Sequence, residues 1–402
     1  MFKFFKKQTI HSLCLGLALG ALTSTALAQE TVKIGVLAPL TGVTASDGGW
    51  LMKGHELAVE EINARGGIRS LNGAKVQLVV ADTQSKPEAG RGEAERLIER
   101  EKVSALTGAW SSAVTVVVAQ VAERNAVPFV ITSAVADNLT EKGMKYVFRV
   151  SPKAKWAVED AGRFLDYMKT RGTAVSKVAV IYEDGPYGQS VADNYKALFA
   201  AKNIAVVADD SFRTGVSDLS TQVTKMRAAG ADLVVMAAYV NDSIVLFRTM
   251  ASQNFKPLVL GYGQGQVQPA LLQSGKAVEG SFGVVEWMPD VNKESVKKFV
   301  AAFEAKYKAM PPPTSAQAYV STWAIIEAIE QAKSTKPQAV RDALATLKSA
   351  TGPLTLLPSR QLFGFDIAGQ HLVGSVVAQV IDGKFVTVWP PEVAAGAIVP
   401  YK

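Results

Sequence analysis

Two adjacent serines, Ser111 and Ser112, are the residues whose type and position point most clearly to binding chemistry. They follow the short apolar stretch Val103 to Thr107, which is closed by Gly108 and predicts a buried strand. They precede an apolar helical stretch that runs to Asn125, so they stand at a helix N-cap. A helix start presents N–H groups and partial positive charge, which favour a carboxylate or phosphate. The alternative is that the serines only cap the helix.

A second polar turn follows the next predicted strand. Val127 to Ile131 predicts that strand, and Thr132 and Ser133 come directly after it. The two strands and the helix between them form a β-α-β unit, so both polar turns lie at one rim of a parallel sheet. Open α/β sheets bind ligands at that rim. The sequence therefore predicts a site for a small anion there.

Aromatic and polar side chains follow other predicted strands. Trp110 precedes the serines, and Trp50 follows the first polar loop; either indole could stack on a flat ligand or pack against its own helix. Tyr239 could close a pocket, and Asn241 or Asp242 beside it could bind a ligand donor. A helix N-cap is the alternative role for the last two residues.

The chain offers few residues for catalysis. Only two histidines, His55 and His371, follow the N-terminal segment, and the single cysteine is Cys14. No GxSxG, HExxH or P-loop pattern is present. The glycines of Gly261 to Gly265 lack the GxGxxG spacing, and we interpret them as a loop that lets backbone approach the cleft. We expect no enzyme activity, no cofactor and no metal.

The first 28 residues have the pattern of a cleaved export signal. Three lysines precede an apolar stretch from Leu13 to Leu22, and Ala26 to Ala28 forms a small-x-small cleavage site. Removing these lysines lowers the 43 Lys and Arg residues to 40, against 36 Asp and Glu, so the charge falls from +7 to about +4. No basic cluster points to nucleic acid. The expected location is the periplasm.

Strands and helices alternate along most of the chain, which predicts an α/β fold of doubly wound parallel sheets. We expect the first helix to span about Trp50 to Ala64, after a loop rich in Gly, Ser and Thr. Near the C-terminus, Asp382-Gly383 stands between two apolar stretches, which predicts a β-hairpin.

Four stretches together resemble the leucine/isoleucine/valine-binding family of type I periplasmic binding proteins, the capture subunits of ABC importers. They are Ile34 to Gly42, Gly54 to Ile68, Leu139 to Pro152 and Val178 to Ser190. The resemblance implies two α/β lobes joined by three hinge crossings, near 146–152, 283–288 and 371. The implied first lobe comprises residues 29–149 and 285–371, and the implied second lobe comprises residues 150–284 and 372–402.

The resemblance also implies roles for individual residues. Ser112 matches the position that holds the ligand carboxylate, and Ser133 matches a position of backbone contacts. Val135 replaces a common threonine, so one hydrogen bond is missing, and Tyr187 matches an aromatic residue of the second lobe, although a turn residue is the alternative. Near Gln264, where amino-acid binders place an acid for the ligand ammonium, residues 261–268 contain none.

The expected function is therefore capture of a small solute, an amino acid or an aromatic or other organic carboxylate, between two closing lobes. The partners would be the permease and ATPase of an ABC transporter, and the protein would be a monomer. Two alternatives remain at this point, a ligand-sensing subunit of a membrane receptor and an exported α/β hydrolase or amidase.

Overall fold

The computed structural model of the protein describes residues 1–2 and 31–400, except the side chain of Gln264. Most of the predicted export signal therefore lies outside the described residues. The described strands form one sheet of five strands, one of seven and a small pair. No helix within the described residues is long and apolar enough to cross a membrane.

The first sheet is entirely parallel and has the order β2-β1-β3-β4-β5. Its strands are β1 (Val32–Ala38), β2 (Val76–Asp82), β3 (Ala105–Gly108), β4 (Phe129–Ile131) and β5 (Val147–Arg149). The connecting helices are α1 (Ala45–Ala64), α2 (Pro87–Glu99) and α3 (Ser112–Arg124). The central strands are buried on both faces, as the apolar stretches predict for a parallel sheet covered by helices.

The chain then builds the parallel part of the second sheet. Its strands are β6 (Lys177–Glu183), β7 (Ala205–Phe212), β8 (Leu233–Ala237), β9 (Leu258–Tyr262) and β10 (Phe282–Val285). The helices around them are α4 (Ala154–Thr170), α5 (Pro186–Ala201), α6 (Ser220–Ala228) and α7 (Val240–Ser252). The prediction of two doubly wound sheets is confirmed.

Three later helices return to the first sheet. They are α8 (Glu294–Tyr307), α9 (Pro313–Ala332) and α10 (Pro337–Thr346), followed by the short strands β11 (Lys348–Ser349) and β12 (Phe363–Gly364). Helix α9 lies directly against α1: a Cβ atom at Gly54 would lie 2.1 Å from the carbonyl oxygen of Ser315. Glycine at this position therefore lets the two backbones touch.

The predicted hairpin completes the second sheet. Strands β13 (Val376–Ile381) and β14 (Lys384–Trp389) pair antiparallel, and the sheet order is β14-β13-β10-β9-β8-β6-β7. Asp382 and Gly383 have φ angles of 49° and 70°, the positive values that a type I′ turn requires. The two turn residues alone were therefore sufficient to predict this hairpin.

The chain passes three times between elements of the two sheets: after β5, after β10 and before β13. Arg149, at the end of β5, links the first and third passages. Its Nη1 donates to the carbonyl oxygen of Ala136 at 2.7 Å, and its backbone oxygen accepts from the N–H of His371 at 2.9 Å. The guanidinium also donates to Gln370. Burial lowers the pKa of Arg149 to about 10, so the group is still charged at neutral pH.

Helix α1 begins five residues earlier than the glycine-rich sequence predicts, at Ala45 instead of Trp50. Gly48 explains the difference, because a Cβ atom there would lie 2.0 Å from the carbonyl oxygen of Pro39. Glycine allows the helix to pass the loop after β1, so it indicates close packing and not a break. The longer helix places Asp47 in its buried first turn.

His55, in the α1–α9 contact, should make the stability of the protein depend on pH. The ring is fully buried, with Nδ1 2.6 Å from Thr322 Oγ1. Burial lowers the pKa of His55 to about 3 from 6.5, so the unfolded chain binds its proton first as the pH falls. The free energy of unfolding should therefore decrease between pH 6.5 and 3, by about 1.4 kcal/mol per pH unit from this residue.

Urea unfolding of the wild type and of His55→Asn at several pH values tests this. The variant cannot ionise, so its stability should fall less steeply below pH 6. Equal slopes for the two proteins would contradict the assignment.

Candidate ligand-binding site

A cavity lies between the carboxyl ends of the two sheets. Every residue that lines it follows the end of a strand, which is where the sequence places the site. The lining residues are Trp110, Ser111, Ser112, Ser133, Ala134, Val135, Tyr187, Tyr239, Gly263, Gly265 and Glu286. Seven of the ten residues predicted from the sequence are among them: Trp110, Ser111, Ser112, Ser133, Val135, Tyr187 and Tyr239.

The two serines have different positions at the start of α3. Ser111 is the N-cap, and its Oγ accepts a hydrogen bond from the N–H of Val114 at 3.4 Å. Ser112 is the first helical residue, is 2% exposed, and its Oγ accepts from the N–H of Ala136 at 3.4 Å. The capping role therefore belongs to Ser111. Ser112 combines a hydroxyl on the cavity wall with the partial positive charge of the helix start.

A tight turn brings these serines to the cavity. Gly108 has a φ angle of +99°, and a Cβ atom there would lie 2.1 Å from the carbonyl oxygen of Leu37. Ala109 also has a positive φ of 61°, an uncommon conformation for a residue with a side chain. The chain therefore turns sharply from β3 into α3, and the helix start points at the cleft.

Ser133 and Val135, which follow β4, complete this side of the cavity. Ser133 Oγ donates to Gln317 Oε1 on α9 at 2.7 Å, so its hydroxyl is bonded within the protein. Val135 is 7% exposed and packs with apolar residues of the second sheet. Its isopropyl group makes this part of the wall apolar.

Three aromatic rings form a continuous contact across the cleft. Trp110, which follows β3, lies with its ring centroid 5.0 Å from that of Tyr239 at the start of α7. Tyr239 in turn lies 5.3 Å from Tyr187 at the start of α5. These contacts, with interplanar angles of 42° and 34°, join elements of the two sheets across the cleft and give the cavity an aromatic wall.

Tyr187 is held by the loop after β9. Its hydroxyl donates to the carbonyl oxygen of Tyr262. Gly263 has a φ angle of +88°, and a Cβ atom there would lie 2.8 Å from the Tyr187 hydroxyl oxygen. Burial raises the pKa of Tyr187 well above its ordinary value, so the phenol stays protonated. The absence of a side chain at Gly263 therefore leaves room for the Tyr187 hydroxyl.

Glu286 is the charged lining residue that the sequence analysis missed. It follows β10 directly and is 2% exposed, and its charge acts on the buried phenols of Tyr187 and Tyr262. The expectation of an acid was restricted to residues 261–268. The signal was present one strand later, because a carboxylate at the end of a buried parallel strand lies on the same sheet edge as the other candidates.

Two predicted site residues are placed elsewhere, which corrects those predictions. Asp242 Oδ1 accepts from the N–H groups of Gly215 and Val216 at 2.8 and 3.2 Å, so it fixes the loop after β7. Trp50 packs against Phe303, at a centroid separation of 6.4 Å. Neither contact is the alternative stated from the sequence, which was a helix N-cap for Asp242 and packing against its own helix for Trp50. Both contacts join elements distant in sequence.

Gln264 lies in a 3₁₀ turn after β9, between the lining residues Gly263 and Gly265. Asn241, which precedes Asp242 in sequence, donates to the carbonyl oxygen of Val43, in the loop after β1, at 3.2 Å. Within residues 31–400, no group of His, Asp or Glu side chains has an arrangement suited to a metal ion.

Comparison with known proteins assigns this fold and cleft to a family. The chain is 32% identical over 400 residues to Leu/Ile/Val-binding protein homolog 7 of Brucella suis, covering 96% of this chain and 98% of that protein. A leucine-binding protein from Thermotoga maritima superposes with a TM-score of 0.81 at 25% identity, over 90% of this chain and 99% of that one. A solute-binding protein from R. palustris in complex with benzoate has a TM-score of 0.78 at 22% identity, over 91% and 98%.

These similarities match the two-lobed architecture and the cleft derived above. The sequence profile described as periplasmic binding protein matches residues 31–373. The chain therefore belongs to the periplasmic binding protein family.

Proposed function

We propose that this protein captures a small carboxylate, foremost an α-amino acid with an apolar or aromatic side chain, and delivers it to an ABC transporter. One observation carries the proposal: the cavity combines an anion-favouring helix start at Ser112 with a buried carboxylate at Glu286. An α-amino acid presents a carboxylate and an ammonium, and its side chain would lie against the rings of Trp110 and Tyr239. The chain belongs to a family of binding proteins, which supports binding of the ligand without its chemical conversion.

An aromatic carboxylate is the second candidate ligand. The wall formed by Trp110, Tyr239 and Tyr187 consists of aromatic rings, against which an aromatic ligand can pack. The similar protein from R. palustris was solved with benzoate, whereas the one from Thermotoga maritima is named for leucine. The two ligand classes differ in the ammonium group, so Glu286 is the residue that should distinguish them.

Capture would occur by closure of two lobes about three hinges. The proposed first lobe is residues 29–149 and 285–371, and the second is residues 150–284 and 372–402. Contacts that span the proposed boundary support this. The side-chain amide of Asn194 donates to Asp137 Oδ2 at 2.7 Å, and Asp137 also bonds Ser190. These bonds would break when the lobes separate.

Ligand screening by thermal shift, followed by calorimetry and solution scattering, tests the function. Leucine, phenylalanine and benzoate form the panel, and glutamate is the control because its second carboxylate would face the apolar wall. A ligand at a hundredfold excess over Kd should stabilise the protein by about 2.7 kcal/mol and should reduce its radius of gyration. Mass spectrometry should recover the ligand unchanged. Conversion to a product would instead favour the hydrolase alternative.

Delivery to a permease and ATPase complex would require the protein to be in the periplasm. We expect it to act there as a monomer. The family supports that location. A receptor-docking sensor would need the same closure, so uptake reconstituted with a permease and ATPase of the same organism is the test that separates the two roles. Transport that depends on the binding protein is the expected result.

We expect the mature protein to begin at Gln29. The cleavage pattern at Ala26 to Ala28 is the reason. The intact mass of protein exported by a Gram-negative host measures the N-terminus directly. Retention of Met1, or a lipid on Cys14, would contradict the prediction.

A further inference from the structure

Asp47 forms a buried polar contact between the lobes at the edge of the cleft. It lies in the first turn of α1 and is 1% exposed. Its Oδ1 accepts from Gln268 Nε2 at 2.7 Å, and the same amide nitrogen donates to Thr314 Oγ1 at 3.2 Å. Asp47 and Thr314 belong to helices that pack on the first sheet, whereas Gln268 follows β9 of the second sheet.

The second carboxylate oxygen of Asp47 is buried and has no hydrogen-bond partner among the described residues. No ion pair joins Asp47 to a described Lys, Arg or His side chain. The titratable group that interacts with its charge is the buried phenol of Tyr239, which the carboxylates of Asp242 and Glu183 also influence. Every one of these titratable neighbours is neutral or negative, so none of them offsets the burial of a charged Asp47. Hydrogen bonds from the backbone N–H of Asp47 and from Gln268 favour the charged form, but desolvation outweighs them.

We propose that Asp47 couples closure of the lobes to uptake of one proton, so that the ligand is held more tightly as the pH falls. When the lobes separate, Gln268 leaves with the second lobe and water reaches the carboxylate. When they close, the carboxylate is desolvated, and a proton from solvent on Oδ2 makes it a neutral acid. This inference rests on the proposed closure and adds a regulation to it.

The direction of the effect follows from burial. Desolvation raises the pKa of Asp47 to about 7 from 3.8, although hydrogen bonds from its own backbone N–H and from Gln268 oppose the increase. The closed form therefore binds more protons than the open form between about pH 4 and pH 7. Ligand affinity should rise roughly tenfold for each pH unit below 7, and should level off near pH 4.

Isothermal calorimetry measures the proton uptake directly. Leucine, or benzoate if leucine does not bind, is titrated at pH 7 in phosphate and in Tris, whose ionisation enthalpies differ. The wild type should take up about half a proton per ligand at pH 7, where a group with this pKa is half protonated. Asp47→Asn should take up less and should lose most of the pH dependence between pH 8 and 5.

Asp242→Asn is the matched control. It also removes a buried carboxyl with a raised pKa, about 6, but its partners Gly215 and Val216 lie in its own lobe. Its proton uptake on binding should match that of the wild type. Binding without proton uptake in the wild type, or uptake that survives in Asp47→Asn, would overturn the inference.

If neither ligand binds, the proposed ligand class fails, and solution scattering of the ligand-free protein decides this inference separately. The wild type should be more compact at pH 5 than at pH 8, and Asp47→Asn should be equally compact at both. If the wild type and Asp47→Asn have the same radius of gyration at pH 5, and again at pH 8, the inference about Asp47 is overturned.

Discussion

Glu286→Gln is expected to weaken amino-acid binding by about thirtyfold or more while leaving benzoate binding within a few-fold of the wild type. Removing one member of a buried charge pair costs about 2–5 kcal/mol, and 1.4 kcal/mol is a factor of ten in affinity. The glutamine keeps the size of the side chain but cannot balance the charge of an ammonium. Benzoate has no ammonium, so its binding does not depend on the charge of Glu286. Removing that charge also reduces repulsion of the benzoate carboxylate.

Glu183→Gln is the control for this result. Glu183 is also buried, at 4% exposure, and ends a strand of the same sheet. Its carboxylate accepts from the N–H groups of Gly185 and Gly188 at 2.8 and 2.7 Å and does not line the cavity. This variant should lower stability more than affinity. If Glu286→Gln binds leucine like the wild type, Glu286 does not hold the ligand ammonium.

Ser112→Ala should weaken binding of any carboxylate ligand by roughly ten- to hundredfold. A hydrogen bond to a charged group contributes roughly 1.5–3 kcal/mol net, and the hydroxyl stands at the positive start of α3. In contrast to Glu286→Gln, the loss should apply to leucine and benzoate alike. Calorimetry of both ligands measures it.

The adjacent serine provides the matched comparison. Ser111 is the N-cap of α3, so Ser111→Ala should lower the free energy of unfolding of the ligand-free protein by about 1 kcal/mol. Ser112→Ala should affect that quantity less. If Ser111→Ala reduces affinity more than Ser112→Ala does, the anchor of the carboxylate is Ser111, and the assignment of the two roles is reversed.

The two variants together resolve the ligand class. An amino acid should lose affinity in both Glu286→Gln and Ser112→Ala, whereas an aromatic carboxylate should lose it only in Ser112→Ala. A ligand that loses affinity in neither lies outside the proposed class.

Local sequence patterns determined the elements of this protein and one side of its cleft. The apolar stretch before Gly108 and the serines after it marked the end of β3 and the start of α3 without reference to any distant residue. The hairpin at Asp382-Gly383 was equally local, because two residues with positive φ define that turn. Strand ends of a parallel sheet share one edge, so the pattern also placed both serines at the site.

Tertiary structure alone decided which residues from distant elements meet in the cleft. Glu286 reaches the cavity because β10 pairs beside β9, whereas Asp242 turns to a loop and Trp50 to Phe303. The glycines before Trp50 indicated a loop, yet Gly48 lies inside helix α1. Glycine is needed there because a Cβ atom would collide with the carbonyl oxygen of Pro39. Such contacts join residues far apart in sequence, and their geometry depends on how whole sheets and helices pack, which no local pattern records.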